Sequence, residues 1–132
     1  MNNQAGSFTP MVAVAAVAVF IAIGLSVDGG GRMAALEHAD GVAAEAARAG
    51  GQELVLSDAI RGTADRIDPA AARTAALNYL HEAGATGTVD VDPAGDRITV
   101  IVTVTYDPIM LGLIGAGPWT ETGTATAQLL TG

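Results

Sequence analysis

The sequence predicts an α+β protein: a long N-terminal helix that passes from apolar to amphipathic, a second helix, and a small antiparallel sheet of about three strands. Three observations carry that reading. No side chain from Met1 to Val27 is charged. The apolar residues that follow recur at helical spacing as far as Gly50, and beyond Thr86 the apolar period changes to two. At 132 residues the chain has room for one ordinary domain. A spanning helix leaves about 80 to 100 residues for it.

The first element is a membrane anchor. Met11 to Leu25 (MVAVAAVAVFIAIGL) is apolar throughout. Roughly 20 residues cross a hydrocarbon core of about 30 Å, and Phe8 to Val27 meets that length with Thr9, Pro10 and Ser26 near the interfaces. Pro10 is tolerated in a first helical turn. The rival is a cleaved secretory signal, which needs a basic leading region and a small-x-small cleavage site. MNNQAGS carries no Lys or Arg, and GLSVDGGG after the apolar run offers no such site. A span over residues 7–27 is therefore the expectation. Charge gives little on orientation: Arg32, the nearest basic residue, lies on the C-terminal side and weakly favours a cytoplasmic C-terminus, but it sits close to Asp28.

Residues 28–51 continue the helix in amphipathic form. Met33, Leu36, Val42, Ala43, Ala46 and Ala47 make an apolar stripe opposite Arg32, Glu37, Asp40, Glu45 and Arg48, whose acidic members read as a solvated face. Gly29, Gly30 and Gly31 each cost about 1 kcal/mol relative to Ala, which predicts a hinge or kink there. Gly50 and Gly51 predict the helix end.

Residues 52–132 are expected to form the α+β domain that the helix carries, opening on a connector (52–67) with one short helical turn. Asp68 and Pro69 have the chemistry of a cap and a first helical position, so a helix is predicted with Ala72, Ala76, Leu77, Leu80 and Ala83 on one face and Gly84 closing it. In RITVIVTVTY, Ile98, Val100, Val102, Val104 and Tyr106 share one face and Thr99, Thr103 and Thr105 the other. Thr88 to Val91 is the predicted hairpin partner through Asp92 to Asp96, and Trp119 to Leu129 a third strand. Between Pro108 and Pro118 runs IMLGLIGAG, too apolar to be left in water. It reads either as a core plug or as an exposed patch, formed by Ile109, Met110, Leu111, Leu113, Ile114 and Trp119, that contacts another subunit or the membrane.

Composition narrows function. The net charge is −8 and the six basic residues, all Arg, are scattered, so no basic stripe offers itself to nucleic acid. Cysteine is absent, which removes thiolate chemistry and Cys-based zinc sites. His38 and His81 fall on different predicted helices, and Gly29 to Gly31 lack the strand, helix and Lys context of a phosphate loop. Asp90, Asp92 and Gly95 match the first, third and sixth positions of a calcium loop, but Ala94 and Ile101 stand where its fifth ligand and closing Glu belong. A tight hairpin is the better reading. No nucleophile, base and orienting group come together, so neither enzyme, cofactor, metal site nor small-molecule substrate is expected.

Taken in order, GSFTPMVAVAAVAVFIAIGLSVDGGGRMAALEHADGVAAEAARAG resembles the TadE/TadG-like proteins of tight-adherence (Flp, type IVc) pili: Gly-Ser, apolar helix, Val-Asp-Gly-Gly-Arg, then an Ala-rich segment. IDPAAARTAALNYLHEAGATGTVDV and the Thr/Val strand are also similar to members of that family. The resemblance implies a pilin-like fold and a single-pass protein of the cytoplasmic membrane with its C-terminal domain outside or on the pilus. It implies a role as minor pilin or assembly subunit, with other pilus proteins and membrane lipid as partners. It further implies a leader over residues 1–6, cut between Gly6 and Ser7 by a prepilin peptidase. Met11 stands where many members place Glu five residues after that bond. The alternative is a membrane-tethered binding module that joins no filament.

Overall fold

The computed structural model describes residues 8–61 and 69–128. Its elements are α1 (Phe8–Arg61), α2 (Pro69–Glu82), β1 (Thr86–Val91), β2 (Arg97–Tyr106), a 3-10 turn (Leu111–Ile114) and β3 (Trp119–Gln128). The chain divides into two units, one holding the residues up to Met33 together with Tyr106–Trp119, the other Ala34–Thr105 together with Thr120 onward.

In the second unit, part of α1 and all of α2 cover one face of a sheet ordered β1-β2-β3. β1 and β2 are antiparallel, with Val89 opposite Val100 and Val91 opposite Ile98. The Thr99 and Thr126 hydroxyls meet at 3.2 Å on the neighbouring pair. The predicted alternation in β2 holds: Ile98, Val100 and Val102 are fully buried while Ile101, Thr103 and Thr105 are exposed. From α1 come Ala39, Val42, Ala43, Ala46 and Ala47, and from α2 Ala72, Ala76 and Leu80. Most of these helix residues are alanines, so the helix backbones lie close to the strands and the branched strand residues supply the bulk. Two expected faces are narrower than the sequence suggested. Met33, Leu77 and Ala83 are exposed, whereas Ala39 and the half-buried Tyr79 join the core.

The turns follow local chemistry. Gly84 (φ +64°) ends α2, with its N–H donating to the His81 carbonyl and that of Ala85 to Leu80, the paired bonds of a Schellman motif. Between β1 and β2 the Asp92 carboxylate accepts the Ala94 N–H at 2.9 Å and Gly95 takes φ +72°. Asp92 is thus engaged in shaping a hairpin, and Asp90 faces Arg73 across an exposed 3.8 Å ion pair. Asp68, expected to cap α2, lies outside the described residues.

Glycine placement departs from expectation. α1 is continuous through Gly29–Gly31 and runs past Gly50 and Gly51 to Arg61, so the first part of the predicted connector is helical. At Gly31 and Gly50 the cost of glycine is offset by close approach, whereas Gly29 and Gly30 have nothing within 4 Å of a built Cβ. A Cβ on Gly50 would overlap Ile98 and come within 2.9 Å of the Ala72 carbonyl oxygen, and one on Gly123 would enter the backbone of Ala39 and Asp40. Asp40 is likewise more than a solvated charge, because its Oδ1 accepts the Thr124 N–H at 3.1 Å. That bond occupies an N–H of the edge strand β3.

Candidate functional site

The first unit contains the apolar part of α1 and the connection from β2 to β3. Val12, Val14, Val17, Phe20, Ile21, Ile23 and Leu25 are between 46% and 70% exposed, so protein covers almost none of this helix. It is long and apolar enough to cross a membrane. Where its charge-free stretch ends, Asp28 is completely buried.

Asp28 is buried under the loop that follows β2. Its Oδ1 accepts the Ile109 N–H at 2.7 Å, its Oδ2 the Leu111 N–H at 2.6 Å, and the Met110 N–H is shared between them at 3.3 and 3.1 Å. The Tyr106 hydroxyl donates to Oδ1 at 3.2 Å. Three successive backbone amides on one carboxylate form a small anion nest, filled here by the chain's own side chain. Burial by itself would raise the Asp28 pKa, but the Leu111, Ile109 and Met110 amides and the Tyr106 hydroxyl outweigh it and hold the carboxyl below its ordinary value. Burial first, and then the bond to Asp28, raises the pKa of Tyr106.

Gly31, one turn beyond Asp28, makes room for this arrangement, since a Cβ there would overlap the Tyr106 ring and hydroxyl. Tyr106 stacks on Trp119 with centroids 6.3 Å apart, and the Arg32 guanidinium lies 5.7 Å from the Trp119 ring centroid. Asp28, Gly31, Arg32, Tyr106 and Trp119 thus form one collar, to which a helix and both ends of the β2–β3 connection contribute.

Of the residues singled out from sequence, Ile109, Leu113 and Ile114 are 68%, 75% and 74% exposed, while Met110, Leu111 and Trp119 are half-buried. The connection is no core plug. Leu111 lies over Gly24, where a Cβ would come within 3.3 Å of its Cδ2, and Ile114 shares an open apolar groove with Ala16, Val17, Phe20 and Ile21. Gly6 and Ser7 lie outside the described residues. Sequence reasoning missed Asp28, for which the one available signal was a carboxylate at the end of the charge-free run with a glycine three residues on.

The geometry defines a class: an α+β protein with one N-terminal helix long and apolar enough to cross a membrane. Residues 6–53, which include most of the long helix, are similar to the Tad family model of Flp pilus-assembly TadE/G-like proteins. No curated protein and no solved structure matches the chain.

Proposed function

We propose that this chain is a minor pilin or assembly subunit of a tight-adherence pilus, held in the cytoplasmic membrane by one pass of its N-terminal helix, with the C-terminal α+β domain outside. The observation that carries the reading is the family match over residues 6–53, which coincides with the apolar span and the alanine stripe of one continuous helix. The role is structural and non-catalytic. The helix is the surface that meets other pilus proteins, and a prepilin peptidase cuts between Gly6 and Ser7.

At Met11 a filament subunit would lack the carboxylate that compensates a neighbour's N-terminal amine in an apolar core. The chain is therefore expected to be scarce in sheared filaments relative to the major pilin. The decisive experiment is mass analysis of the mature N-terminus with and without Gly6→Leu. The wild-type chain should begin at Ser7, and the variant should retain MNNQAG and fail to enter pili. A mature protein beginning at Met1 or Asn2, in cells that assemble normal pili without it, would leave the tethered binding module as the better reading.

A further inference from the structure

We propose that the β2–β3 connection is a second membrane-seated element, inserting Ile109, Leu113 and Ile114 among lipid acyl chains beside α1 while Asp28 holds its backbone. The inference rests on α1 crossing the membrane, as in the function proposed above. Four observations support it.

The first is depth. Ile114 lines its groove with Ala16, Val17, Phe20 and Ile21, which precede Asp28 by seven to twelve residues. At about 1.5 Å per residue the loop reaches some 10 to 18 Å back along the apolar helix from Asp28. That is roughly a third to three-fifths of a hydrocarbon core of about 30 Å. If α1 spans the bilayer, the tip of the loop cannot be in water.

The second is the backbone. Irregular chain is tolerated at membrane depth only where its polar groups are satisfied within the protein. The N–H groups of Ile109, Met110 and Leu111 donate to Asp28, that of Leu113 to the Met110 carbonyl, that of Gly115 to Gly112 and that of Ala116 to Leu111. An exposed surface loop would satisfy such groups with water and would not need a buried carboxylate. The third is continuity, because the exposed side chains of the loop extend the uncovered apolar surface of the helix with no polar residue between Ile109 and Ala116. The fourth is the collar: Tyr106, Trp119 and Arg32 sit where the apolar surface ends, and aromatic and basic side chains concentrate at the headgroup level of a bilayer.

The test exploits the absence of cysteine. Leu113→Cys and, separately, Val17→Cys in the full chain are labelled with an environment-sensitive fluorophore and reconstituted in phosphatidylcholine–phosphatidylglycerol vesicles. Each is then exposed to acyl-chain-brominated lipid and to aqueous iodide. Both positions should be quenched by the brominated lipid and protected from iodide. Iodide quenching at Leu113 with lipid quenching at Val17 would overturn the loop insertion and leave the anchor standing. Protection of Leu113 from both quenchers, again with Val17 in lipid, would mean that protein covers the loop and would also overturn it. Iodide quenching at Val17 would remove the anchor itself, and this inference with it.

Discussion

The Leu111 N–H donates to the Asp28 carboxylate at 2.6 Å, joining positions 83 residues apart. Asp28 closes the charge-free stretch of the helix and Leu111 begins the 3-10 turn of the apolar connection, so this bond and its neighbours fix where that connection lies on α1.

Asp28→Asn keeps the shape of the side chain but replaces one acceptor oxygen with a donor, which cannot receive the amides that now point at it. Amide hydrogen exchange at Ile109, Met110 and Leu111 should accelerate strongly, while the amides of β1 and β2 keep their protection. Tyr106→Phe removes one donor of four and should produce the same pattern more weakly. Equal acceleration in the strands would show that Asp28 supports the whole fold and not this loop.

The bracket should also depend on pH in a defined direction. The folded Asp28 carboxyl titrates below its ordinary value of 3.8, so its contribution is complete above that value and is lost as pH falls through the lower folded one. Tyr106 has the opposite sense: its hydroxyl is held neutral, so its contribution is complete below 10.0 and is lost as pH rises through the raised folded value. Trp119 fluorescence, read through its stacking on Tyr106, should be flat between these limits and change beyond each. A transition near pH 6 to 7, where neither group titrates, would contradict the assignment.

In the sheet, Val102 is fully buried and its neighbour Thr103 exposed. Val102→Asp buries a carboxylate without a partner and should cost more than about 4 kcal/mol, whereas Thr103→Asp should stay within about 0.5 kcal/mol. Denaturant unfolding of the full chain in detergent micelles measures both. Similar midpoints for the two variants would mean that the register of β2 against the helices is wrong.

Two glycines should respond to alanine with opposite signs. Gly29 is helical and has nothing within 4 Å of a built Cβ, so Gly29→Ala should stabilise by about 0.5 to 1 kcal/mol. Gly123 faces the backbone of Ala39 and Asp40, and Gly123→Ala should cost about 1 to 3 kcal/mol as the strand is pushed off the helix. Thermal unfolding of each variant reads the sign directly.

The sequence by itself determined the features written in local periodicity. These are the apolar span before Asp28, the alternation from Ile98 to Tyr106, the hairpin at Asp92–Asp96, the end of α2 at Gly84, and a connection too apolar to be ordinary. Each rests on rules that act within a few residues: a transfer free energy, a strand period of two, a turn needing positive φ. Only the tertiary structure decided what the glycines and Asp28 do. Gly31 and Gly50 read locally as a break and a terminator and Gly123 as one more strand position, yet each marks a place where a distant segment comes closer than a Cβ permits. Asp28 reads locally as an ordinary polar end to an apolar helix. Its meaning lies with the Ile109–Leu111 amides, which no periodicity connects to it, because a hydrogen bond between segments some eighty residues apart leaves no mark in the spacing of either one.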